Sequence, residues 1–183
     1  SLLCESSNSW GVHGRGYYVA NRLAWNPDLD ADALLQDFYQ RAFGSAAAVV
    51  RRFYERFDRG NNPLMSTHLL GLGFRDLDEA SRLADQDDAV QARLRHLKQY
   101  LHYVRLRWDI DHSEDQALRK RATLAALTWC HRTRYSYMNH WAAMWQSWSK
   151  SAAKEFNEPE WSAKLRRETY AWSDETPVSA AET

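Results

Sequence analysis

The chain has 183 residues and a mass of 21.4 kDa, the size of one ordinary domain, long enough to close a hydrophobic core without disulfides or metal. Its 24 basic side chains balance 24 acidic ones, so nothing favours nucleic acid or an anionic lipid surface as a partner. Nine tryptophans beside only seven glycines and four prolines describe a helix-rich fold with a heavily aromatic core or ligand face.

The chain opens on Ser1-Leu2-Leu3-Cys4, with neither a methionine nor a basic stretch before an apolar run, so no signal peptide is read here. No apolar run approaches the roughly 20 residues of a membrane span, and the compartment, secreted and periplasmic included, is left open. Residues 1–16 differ from the rest. Leu2, Leu3 and Cys4 form a short apolar run, and Glu5 to Gly16 is rich in serine and glycine, with Asn8 among them. This reads as the end of a buried strand running into a loop. A strand with no partner leaves its backbone groups unpaired, which marks the chain as part of something longer.

Tyr17 to Trp25 predicts a helix that Asn26-Pro27 ends, because the residue before a proline is driven out of the helical region. A second helix starts near Asp30, with Leu34, Leu35, Phe38, Tyr39 and Phe43 as its apolar stripe and Gly44 as its stop. Ser45 is placed to cap a third, through Val49, Val50, Phe53, Tyr54 and Phe57 to Gly60. Asn61 to Phe74 has loop composition. Asp76 followed by Glu79 has capping-box spacing and predicts a short helix that Asp85 to Asp88 interrupts.

The clearest periodicity comes next: Val90, Leu94, Leu97, Leu101, Val104 and Trp108 share one face of a long helix. Ser113 with Gln116 predicts the start of another, packed antiparallel to it across a short link, whose later part sets Met138, Trp141, Trp145 and Trp148 on one face. Trp161, Leu165 and Trp172 hint at one more helix before a disordered tail, Asp174 to Thr183. The expected organisation is a terminal strand and loop over 1–16, a helical domain over 17–173 and a tail over 174–183.

Cys4 and Cys130 stand in neither a C-x-x-C nor a zinc-ligand spacing, and His13, His68, His96, His102, His112, His131 and His140 never adopt the helical two-histidine spacing of hydrolytic zinc sites. No metal or organic cofactor is expected. His96 and His102 lie off the main apolar face of their helix, which suits solvated rings. Trp141, Trp145 and Trp148 fit core positions, or a platform on which the apolar face of a pyranose stacks, with Arg132 and Arg134 beside them to pair with acids or stack on rings. Gly11-Val12-His13-Gly14-Arg15-Gly16 holds glycines but not in a dinucleotide-binding order. Glu5 at the carboxyl end of a strand, followed by hydroxyl and amide side chains and by Trp10, is what a barrel enzyme places at its active-site rim, a capping glutamate and a packed tryptophan being the plainer alternative.

Three runs carry a family resemblance: Glu5-x-x-x-x-Trp10-Gly11, then Gly16-Tyr17-Tyr18-Val19-Ala20-x-Arg22-Leu23-Ala24-Trp25-Asn26-Pro27-Asp28-Leu29-Asp30, then Leu34-Leu35-x-x-Phe38-Tyr39-x-x-Ala42-Phe43-Gly44. Together they resemble the end of a bacterial glycoside-hydrolase-like family catalogued as a domain of unknown function (4838), distantly similar to the family 67 α-glucuronidases. The short acidic-capped helix and long helix between Asp76 and Val104 also look similar to it. The resemblance implies a last strand of a (β/α)8 barrel leading into a C-terminal helical region that packs on the barrel. It implies no catalytic pair here, since glycosidases use two carboxylates and in such relatives these come from earlier strands.

The expected fold is therefore mainly α, a multi-helix array of about six helices preceded by a short strand and loop. The expected function is that of the C-terminal part of a glycoside hydrolase acting on a polysaccharide or oligosaccharide. Glu5, Asn8, Trp10 and Tyr17 would line the sugar site, and the helices would support the upstream barrel or mediate a homodimer. A carbohydrate-binding or scaffold module without catalysis is the alternative.

Overall fold

The computed structural model describes residues 9–58 and 65–158. Within them the chain forms seven α-helices: α1 (Trp10–Trp25), α2 (Ala31–Phe43), α3 (Ala47–Phe57), α4 (Thr67–Leu83), α5 (Asp88–Asp111), α6 (Gln116–Arg132) and α7 (Trp141–Glu155). No strand occurs among the described residues, and the strand expected over Leu2–Cys4 lies outside them. Each helix packs on the next, and α1 and α2 both reach across to α5.

The loop expected over Trp10–Gly16 is instead the first half of α1. Gly11 serves packing rather than a turn. A Cβ at Gly11 would stand 2.6 Å from Cγ of Tyr100 on α5, so only a residue without one lets the two helices approach this closely. The first amides of α1 are also satisfied by the chain between α6 and α7: Trp10 N–H donates to the Tyr137 carbonyl at 2.9 Å and Gly11 N–H to that of Met138 at 3.2 Å.

The second helix forms as expected. Asp30 accepts from the amides of Asp32 (2.9 Å) and Ala33 (3.5 Å), and Gly44 ends α2 at φ +48°, where a side chain would be strained. Ser45 does not cap α3. It sits in a 3-10 turn, and its hydroxyl donates to the Leu83 carbonyl at the end of α4. Helix α3 then buries Val49, Val50, Phe53 and Tyr54 on one side and ends at Phe57, short of the Gly60 expected.

The region from Asn61 to Phe74 is not all loop: α4 begins at Thr67, capped by Ser66, whose side chain accepts from Leu69 N–H at 3.1 Å. Gly71 and Gly73 mislead a reading by composition. At Gly73 a Cβ would stand 3.1 Å from both Leu101 and Phe57, so this glycine sets the close packing of α4 on α3 and α5. Asp76 is not a cap either. It is 3% exposed in mid-helix and binds two guanidinium groups of α3, those of Arg52 and Arg56. Helix α4 ends where Asp85–Asp87 intervenes, its last carbonyls taken up by Gln91, which donates to Ser81 and Ala84.

Asp87 caps α5, which buries Val90, Leu94, Leu97 and Leu101 as its periodicity requires. Asp115, rather than Ser113, caps α6. The two helices run antiparallel, as expected: Trp129 near the end of α6 donates its indole N–H to the Gln99 carbonyl in the first half of α5, at 3.0 Å. The single helix expected from here to Trp148 is broken. A 3-10 turn over Arg134–Ser136 is followed by Tyr137 at φ +53°, and α7 starts afresh at Trp141, so Met138 belongs to the connector and packs on the main core. That core is built by α2, α3, α4 and α5, and a smaller one around Leu127 joins α6 to α7. No helix among the described residues is long and apolar enough to cross a membrane.

Candidate functional site

Of the four residues expected at a sugar site, Glu5 and Asn8 lie outside the described residues, while Trp10 and Tyr17 stand two turns apart on α1 and therefore share a face. Their rings meet edge to face with centroids 5.3 Å apart. Trp10 lies over Gly14, where a Cβ would come within 3.1 Å of the indole, and His13 sits against Tyr17 at 5.8 Å. Trp10 stays 46% exposed, so the pair forms an aromatic ledge open to water immediately after the Glu5–Asn8 stretch. At the far end of α1, Trp25 is 92% exposed and Leu29 comes after it at 37%.

The inner side of α1 builds a second feature that the sequence reading did not anticipate. Arg15 makes a two-pronged ion pair with Asp58 at the end of α3, donates to the Tyr39 hydroxyl at 3.3 Å and lies over the Tyr54 ring at 4.7 Å. Burial disfavours its charge, but the hydrogen bonds to Asp58 and Tyr39 outweigh that and raise its pKa above the ordinary arginine value. Tyr54 donates to the Gly11 carbonyl at 3.4 Å, and burial pushes its own pKa well up. Beside these groups a pocket of about 190 Å³ opens between α1, α3 and α5, walled mainly by Phe53, Phe57, Leu101 and Val104. Tyr100 also lines it, its phenol pushed up to about 12 by burial. Among the described residues Asp58 is the one carboxylate on its wall and is held by Arg15, so these residues do not assemble a carboxylate pair for glycosidic chemistry there. The signal for this feature was Gly14-Arg15-Gly16, whose glycines drew attention to a phosphate loop rather than to the arginine between them.

Two tryptophans of α7, Trp141 and Trp148, are committed to packing. Trp141 and Trp148 are half-buried against Leu127, Arg107 of α5 lies 4.7 Å over the Trp148 ring, and His131 meets Trp141 edge-on at 5.8 Å. The side chain of Trp145 lies outside the described set. Arg134 is buried, stacks on Tyr135 at 4.5 Å and donates to the His131 carbonyl.

His96 and His102 are not solvated as expected: both are half-buried, and His102 sits against the Trp129 indole with centroids 4.4 Å apart. Burial, with Arg95 near one and Arg105 near the other, lowers both pKa values. Side chains around a helix cover its flanks as well as its main apolar stripe, which is why a position off the stripe is still enclosed once α6 docks. Among the described residues no three His, Cys, Asp or Glu side chains gather as a metal site.

Neither the curated proteins nor the solved structures gave a match to this chain. Over residues 4–55, which run from the opening segment through α1 and α2 into α3 and include the Trp10–Tyr17 ledge, the chain matches the model of a family described as a domain of unknown function, DUF4838.

Proposed function

We propose that this chain is the C-terminal helical region of a glycoside hydrolase acting on a polysaccharide or oligosaccharide, supporting the catalytic barrel and lending it substrate contacts. The observation that carries the proposal is the exposed Trp10–Tyr17 ledge, which begins directly after the acidic and amide side chains of Glu5 and Asn8. An indole face complements the apolar face of a pyranose, while carboxylate and amide groups accept and donate to its hydroxyls. The exposed Trp25 and Leu29 suit a helix whose outer end rests on a neighbouring domain. The catalytic carboxylates belong to that domain, and Glu5 binds or positions.

A stand-alone glycan platform on α7 has less support, because Arg107 already occupies a face of Trp148. The test is twofold. Oligosaccharides are titrated against the protein with tryptophan fluorescence as readout, in wild type and in Trp10→Ala and Glu5→Gln. Uronosides, hexosaminides and neutral aryl glycosides are then offered to the longer protein that includes the sequence upstream of Ser1. Saturable binding lost in Trp10→Ala, with turnover that falls in Glu5→Gln, supports the reading; affinity unchanged in both variants removes the site, and no turnover on any substrate leaves a binding or scaffold role.

A further inference from the structure

The pocket between α1, α3 and α5 has no part in the glycan reading. A sugar carries hydroxyls on every side that need partners, whereas the walls here are mainly Val12, Phe53, Phe57, Met65, Leu101 and Val104, whose side chains offer no hydrogen bond beyond a weak thioether acceptor. Its size restricts the guest further. Sites for drug-sized molecules start at about 300 Å³, while an apolar cavity of about 150 Å³ takes up benzene. At about 190 Å³ this pocket has room for one ring with a small substituent.

Two ties fix the walls. Gly11 lies against Tyr100 and joins α1 to α5, and the Arg15–Asp58 pair joins α1 to the end of α3. A pocket held open between tied helices keeps its shape without a guest, so little ordering opposes binding.

The polar groups on the wall select the guest's substituent. Arg15 and Asp58 are the charged side chains among the described residues that line the pocket, and they neutralise each other. A charged guest meets both signs at once and gains little from either, yet it must still leave water. Two groups retain bonding capacity. The Asp58 side chain is 45% exposed, and its carboxylate has lone pairs beyond those that accept from Arg15. Tyr54 donates its hydroxyl to Gly11, but the Tyr100 hydroxyl has no hydrogen-bond partner among the described residues, and burial keeps it protonated.

We propose that this pocket binds a small neutral aromatic molecule of the phenol class, its ring enclosed by Phe53, Leu101 and Val104 and its hydroxyl partnered by the spare bonding capacity of Asp58 and Tyr100. The site stands apart from the Trp10–Tyr17 ledge and does not depend on the glycan reading.

The test is a titration of the full chain, with isotope-labelled methyl groups, against phenol, toluene, benzoate and benzylamine at neutral pH, followed by NMR in wild type, Val104→Phe and Val12→Trp. Expected with phenol are saturable shifts at the methyls of Val12, Leu101 and Val104, with weaker binding of the other three compounds. Each variant should lower phenol affinity by about tenfold or more, because the larger side chain takes the place of the ring. Val12 is 45% exposed, so its variant keeps the test sound if Val104→Phe disturbs the core. The proposal is overturned if phenol moves none of these methyls, if any of the other three compounds binds as tightly as phenol, or if both variants keep the wild-type affinity.

Discussion

Two glycines on one helix make opposite predictions. At Gly16 a Cβ meets nothing within 4 Å, so Gly16→Ala should show only the gain from restricting the unfolded backbone, about 0.5–1 kcal/mol of added stability. At Gly11 the same methyl lands 2.6 and 2.7 Å from two ring carbons of Tyr100 and 3.0 Å from the Met138 carbonyl oxygen. The Tyr100 ring is wedged against α1, so it must shift by most of an ångström. Overpacking of this kind costs ~1–3 kcal/mol, more than the backbone gain returns. If the connector gives way instead, the Trp10 and Gly11 amides lose their carbonyl partners at about 1 kcal/mol each. Gly11→Ala should therefore be less stable than wild type by ~1–2 kcal/mol, a net of the overpacking cost and the backbone gain. Urea unfolding followed by far-ultraviolet circular dichroism, with unchanged slope, measures both variants. A midpoint for Gly11→Ala equal to or above wild type would refute the packing of α1 on α5 described above.

Buried polar groups yield three further outcomes. Asp76→Ala removes the acceptor shared by Arg52 and Arg56, and because both arginines keep some contact with water the loss should be ~1–3 kcal/mol, read by the same unfolding assay. The Cys130 thiol, pushed up to about 12 by burial, should resist iodoacetamide at neutral pH in the native chain and react in urea, as peptide mapping will show. The lowered pKa values of His96 and His102 mean that the unfolded chain takes up their protons first. Their contribution is fully present above the ordinary value of 6.5 and is lost as pH falls below it through the lower folded values, so thermal midpoints should drop on mild acidification and drop less in His102→Gln.

Where local chemistry decides structure, the elements were readable in advance. Asp30 and Gly44 bound α2 because a carboxylate satisfies free amides and a glycine accepts φ +48°, both properties of single residues. The stripe from Val90 to Leu101 needed only its spacing to declare α5. The failures occur where a distant partner reverses a local preference. Gly11 and Gly73 lower helix propensity, yet at each a side chain from another helix presses on the backbone, so glycine stands inside α1 and α4. Asp76 looked like a cap because nothing nearby in sequence announces that α3 brings two arginines to it. The break before α7 was hidden for a similar reason: Tyr137 in a left-handed turn is held by what its carbonyl does for α1, far back in the chain. At the candidate site, Trp10 and Tyr17 were singled out as rim residues, but their shared helix face was not legible, because the glycines between them read as a loop. Arg15, Asp58, Tyr54 and Tyr100 were not legible, since α1, α3 and α5 must all fold before they meet.

The bonds from Trp10 and Gly11 to Tyr137 and Met138 also set an order of events. They join parts of the chain far apart in sequence, whereas α2 through α5 form contacts mostly between neighbours in sequence. Closing so long a loop costs entropy that only an already folded core can offset, so the four central helices should assemble first and the start of α1 last. During translation the aromatic ledge is thus exposed, on a helix whose first amides still face water, until the α6–α7 connector has left the ribosome and closed over them.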